Sequence, residues 1–152
     1  MALQCNQRPA MAGRSIIQIE RDLIMSTRGL YTFKDADGAY TVFKHWDNYP
    51  THWTEYGAHR FIANALAYAW ELPRFEADEF AASFIAANKK AGGGDLRLLP
   101  ADATNGDTLG VEFWYTVEAA GQRLKVSCRD LFNGVDLEPV YISSSINQKK
   151  AA

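Results

Sequence analysis

The chain has 152 residues, 47% of them hydrophobic and 12% aromatic, with sixteen basic and eighteen acidic residues and two cysteines. That is the makeup of one globular domain, not of a collagenous, low-complexity or disulfide-stapled chain. No apolar run approaches the ~20 residues of a membrane helix, and a net charge of −2 supplies no overall positive field for nucleic acid or anionic lipid.

Residues 1–24 contain Gln4, Gln7, Pro9 and Gly13 and no aromatic residue. They lack both a helical apolar period and the apolar stretch of a secretory signal. The expectation is a disordered or over-extended N-terminal segment, with natural translation starting at Met25. The folded domain then spans 25–142, and 143–152 is a polar tail. Cys5 and Cys128 form no metal-ligand spacing, and no Asn-x-Ser/Thr acceptor is present. A reducing, cytoplasmic setting follows from that cysteine usage.

Leu30-Tyr-Thr-Phe33 alternates, Asp35-Ala-Asp-Gly38 has turn chemistry, and Tyr40-Thr-Val-Phe43 resumes the alternation, which predicts a β-hairpin. Ala58, Ile62, Leu66 and Ala69, widened by Phe61, Ala65 and Trp70, then recur at helical spacing until Leu72-Pro73. A second helix is predicted over 75–90. Acids lie in its first turn, Lys89-Lys90 in its last, and Gly92-Gly-Gly94 stops it.

Beyond the glycines the period becomes two. Leu96-Arg-Leu-Leu99 is a short strand, and 100–110 is a polar loop. Val111, Phe113, Tyr115 and Val117 face one way, as do Leu124, Val126 and Cys128 across the turn at 119–122. Asn133-Gly134 marks another turn, and Val140-Tyr-Ile142 a last strand. The order ββ-αα-ββββ predicts an α+β domain: a mostly antiparallel sheet with two helices packed on one face.

Between Tyr31 and Tyr56 lie eight of the nineteen aromatics, and all three histidines, His45, His52 and His59, lie in 45–59. Thr27-Arg-Gly-Leu-Tyr-Thr-Phe33 followed by Lys44-His-Trp-Asp-Asn-Tyr-Pro50 resembles a group of small uncharacterised bacterial and prophage proteins. These pair a T-R-x-x-Y-x-F start with an H-x-D-G-Y-P-like turn. The resemblance covers residues 25–99. Asn48 stands where the group has glycine, and 51–56 looks like an insertion. It implies a bacterial or mobile-element origin and a start at Met25, and it carries no activity.

Trp46, Tyr49, Trp53 and Tyr56 in the loop 44–56 suit stacking on a ligand or a partner's side chain. Arg28, at the head of the adjoining strand, adds an anion-binding group. The first expectation is therefore an accessory binding protein of a phage or mobile element, engaging an unknown protein partner or small ligand without a cofactor. The alternative is a small hydrolase or nucleotide-processing enzyme. There His45 is the general base and Asp47 orients it, since residues two apart on a strand share a face. A third reading, a single-strand nucleic-acid binder, suits the aromatics but not the acidic balance.

His52, Glu55 and His59 have metal-ligating chemistry without a zinc spacing, so no metal is expected. Cys128 reads as a core thiol. Arg123, Lys125 and Arg129 read as a solvated stripe neutralised by Glu112 and Glu118.

Overall fold

Tyr31 and Phe33 point from their strand to one side, where Phe80 and Phe84 of a helix meet them at ring-centroid distances of 4.6–5.4 Å. The core is assembled around these rings. In a computed structural model describing residues 27–50, 57–91, 95–100 and 110–144, the elements follow the predicted order. They are β1 (Gly29–Lys34), β2 (Ala39–Lys44), α1 (Ala58–Ala65), α2 (Ala77–Lys90), β3 (Leu96–Leu98), β4 (Phe113–Ala120), β5 (Arg123–Asp130) and β6 (Val135–Ser143).

The six strands form one sheet in the order β3-β2-β1-β4-β5-β6. Only β1 and β4 run parallel: the chain comes back from the two helices into β3, antiparallel to β2, and β4 then lies beside β1 in the same direction. The domain is α+β with a mostly antiparallel sheet, as its alternating pattern predicts. Among the described residues no helix is long and apolar enough to cross a membrane.

One face carries Tyr31, Phe33, Val42, Tyr115, Val117, Leu124, Val126 and Cys128, all buried with Phe61, Ile62, Phe80 and Phe84 of the helices. Asn88 of α2 is wholly buried and donates to the carbonyls of Phe61 and Phe84, at 3.0 and 2.8 Å. It ties the two helices together where an apolar side chain would only pack. The opposite face has a smaller cluster of Leu30, Phe43 and Val111, flanked by Leu99, Trp114 and Leu131.

Three local expectations need correcting. The first helix stops at Ala65 rather than Leu72, because the amides of Leu66, Ala67 and Tyr68 bond three residues back in tightened turns. Trp70 therefore leaves the buried stripe. It is 41% exposed, with the Arg74 guanidinium 3.3 Å from its ring centroid.

Val111 does not share the face of Phe113. The amides of Glu112 and Phe113 both reach the Arg28 carbonyl, an irregular strand entry that breaks the alternation. Nor is Glu112 the counter-charge of the basic stripe: Arg129 pairs with Asp136 at 2.9 Å, while Glu118 lies opposite Lys125 in the ladder. Cys128 is a buried free thiol that burial pushes up to about 12, so it is inert as a nucleophile near neutral pH. The segments 1–24 and 51–56 and the tail from 145 lie outside the described residues.

Candidate functional site

The turn leaving β2 rests on buried polar groups. Lys44 alternates with Val42 and so points toward the helices, opposite Gly29 of β1. It is 1% exposed, its ammonium lies 3.7 Å from the Phe61 ring centroid, and it donates to the Trp46 carbonyl. Burial pulls its pKa down to about 8, against the opposing pull of Asp47. The Asp47 carboxyl is in turn raised by burial and lowered by Lys44.

Asn48 is the centre of this arrangement. Its side-chain amide donates to the carbonyls of Thr27 (2.9 Å) and Lys44 (2.8 Å). Its side-chain carbonyl accepts from the Tyr31 hydroxyl at 2.6 Å. Its backbone amide donates to Thr27, and its backbone carbonyl accepts from the Tyr115 hydroxyl at 2.5 Å. One fully buried residue thus pins the head of β1 and the end of β2 through its side chain, and the middle of β4 through its backbone carbonyl.

Gly29 makes this possible, since a Cβ there would stand 2.6 Å from the Asn48 Cβ. Desolvation raises both tyrosine hydroxyls far above their ordinary value, so they stay protonated as donors. The Tyr49 carbonyl accepts the Ala58 amide at 3.0 Å, joining the turn to α1. His59 of α1 is buried, its ring edge-on to Tyr115.

Above the clasp, Trp46 is 46% exposed. The His45 ring meets it edge-on at 5.3 Å and reaches the Phe43 ring at 6.2 Å, and the His45 amide bonds to the Asp95 carbonyl. Tyr49 is half-buried. His45, Trp46, Asp47 and Tyr49 therefore share one turn.

Arg28 is set elsewhere. Its guanidinium lies against Gly110, and it is the cation that lowers Glu112, whose carboxyl burial raises. Trp53 and Tyr56, with His52 and Glu55, fall outside the described residues. Among the described residues no group of three or more His, Cys, Asp or Glu is placed to hold a metal.

The premise that paired His45 with Asp47 does not hold. β2 ends at Lys44, and Asp47 has a left-handed backbone with φ 63°. The two are not alternate residues of a strand, and the charge set against Asp47 is Lys44. Aspartate tolerates that backbone region better than most residues.

Sequence reasoning missed Lys44, Asn48, Tyr31 and Tyr115 as one unit. A lysine at an inward position of an alternating strand was the available signal. Comparison with family models, curated proteins and solved structures finds no match for the chain.

Proposed function

We propose that the protein is a binding protein whose turn 45–50 is a recognition element for a partner protein or a small ligand. The observation that carries this reading is the Asn48 clasp. Five hydrogen bonds to buried groups fix a turn whose outermost side chain, Trp46, is left exposed. Binding is favoured when the contact residue is rigid beforehand, since less ordering entropy is lost. Large exposed aromatics are also the residues most often found as binding hot spots. The resemblance to small prophage proteins supports an accessory role in bacteria or a mobile element.

The test is thermal unfolding of Trp46→Ala, Tyr49→Ala and His45→Ala beside partner capture from bacterial lysate and a ligand-shift screen. We expect Trp46→Ala to unfold within about 1 kcal/mol of wild type while losing capture. A cost of ~3–5 kcal/mol would mean that Trp46 is a packing residue. Loss of turnover in His45→Ala with binding retained would instead establish catalysis.

A further inference from the structure

The sheet face turned away from the helices holds a concavity of about 530 Å³, lined by Trp114, Thr116, Ser127, Arg129, Asp136 and Pro139. We propose that it binds a nucleotide unit, with the base against Trp114 and the phosphate toward Lys125 and Arg123. This site is separate from the 45–50 turn.

The ladder builds the site. Trp114 lies opposite Arg129, Thr116 opposite Ser127, Glu118 opposite Lys125 and Ala120 opposite Arg123. One face thus presents, in order, an aromatic with a guanidinium, two hydroxyls, a lysine beside a carboxylate, and an arginine with no acid opposite it in the ladder. The Trp114 ring is held in place by its own N–H, which donates to Thr32 Oγ1 at 2.8 Å. A fixed indole offers a stacking surface to any base.

Arg129 binds Asp136 through Nη1 and Oδ1 at 2.9 Å, at the exposed edge of the concavity. Alternate residues of β5 place Ser127, Lys125 and Arg123 about 6.8 Å apart in sequence, from the ~3.4 Å rise of a strand. That is close to the step between successive phosphates of an extended single strand. Arg123 also sits 4.6 Å from the ring centroid of Tyr141, which is 45% exposed and gives a second aromatic beyond the cations.

The whole-chain charge of −2 conceals how the charges are sorted. By ladder alternation Lys34, Arg97, Arg123, Lys125 and Arg129 share this face with Glu118 and Asp136, and Glu138 stands beside it in the β6 irregularity. Acids gather instead around the start of α2, at Glu76, Asp78 and Glu79. A neutral sugar would use the indole and the hydroxyls but not Lys125 and Arg123. An acidic peptide would use the cations but not a fixed stacking surface. A nucleotide uses both.

The full chain is titrated with a labelled oligo-dT of about ten nucleotides, with AMP and UMP, with maltotetraose, and with a poly-aspartate peptide. We expect saturable oligo-dT binding whose log–log salt slope is about −1.4 for two phosphates. Lys125→Glu, and Ser127→Tyr which fills the concavity, should each weaken it about ten-fold or more with unfolding temperature unchanged. Trp46→Ala should leave it intact, which separates this site from the proposed recognition turn. AMP or UMP binding with the same sensitivity to both variants would support the site and make free nucleotides the source. No saturable binding of any nucleotide probe would overturn the proposal. So would equal binding of the sugar or the peptide, or nucleotide binding that Lys125→Glu and Arg123→Glu leave unchanged.

Discussion

At one end of β2 the chain turns through Asp35–Gly38 in solvent, and at the other it turns through His45–Pro50 over buried polar groups. In the first, Asp35 Oδ1 accepts the amides of Asp37 and Gly38 at 2.8 and 3.0 Å. Its other oxygen accepts the Ala77 amide at 2.6 Å, capping α2 where Glu76 makes no side-chain cap. In the second, Asn48 makes its bonds to residues as distant as Thr27, Tyr31 and Tyr115. An exposed turn stands largely on its own side chains, and water can replace what is lost. A buried turn depends on the whole sheet, and nothing replaces a missing partner.

The sharpest way to break that contrast is Asn48→Ala. It leaves the Thr27 and Lys44 carbonyls and the Tyr31 hydroxyl short of a partner in a buried place, so a loss of ~3–5 kcal/mol is expected in denaturant unfolding. Asn48→Gly, the residue of the resembling turn, should fall similarly, since glycine brings no amide. A result within about 1 kcal/mol of wild type would mean that the clasp does not hold the turn.

Next in size is the pH dependence of Lys44. Its folded pKa of about 8 lies below the ordinary 10.5. Between those values the unfolded chain binds more protons, so stability rises with pH and is lost again as pH falls through about 8. Relative to Lys44→Met, the wild type should gain about 2–3 kcal/mol from pH 8 to 10.5. Parallel curves for the two proteins would contradict this placement of the ammonium.

The smallest effect belongs to the solvent turn. The Ala77 amide foremost, with the amides of Asp37 and Gly38, holds the Asp35 carboxyl below its ordinary range. Its contribution is present in full above that ordinary range and disappears as pH falls through the lowered value. Asp35→Ala should therefore lower the unfolding temperature less than Asn48→Ala does, and the deficit should vanish in acid. A deficit that persisted at low pH would point to packing rather than capping.

The same contrast explains what could be read from sequence. The Asp35–Gly38 turn, the hairpin of β4 and β5 and the core rings follow from local chemistry and a two-residue period, and their order defines the α+β fold. Asp35 capping α2 was not legible, because its acceptor and donor are forty-two residues apart. Trp46, His45 and Tyr49 stood out by type, yet the groups that hold them do not. Lys44 reads as a polar strand end, and Asn48 as a loop residue, until β1 and β4 are laid beside them. The parallel pairing of β1 with β4, which brings Tyr115 under Asn48, has no local signature at all.

Hydrogen exchange resolved to single amides across 35–50 tests the central claim directly. If buried partners hold the 45–50 turn, the Asn48 amide, bonded to the Thr27 carbonyl, should exchange as slowly as the β1–β2 ladder. The Asp37 amide on the exposed turn should exchange far faster. Exchange of Asn48 at the rate of Asp37 would contradict the account, because a turn that opens so readily cannot present Trp46 in one fixed position.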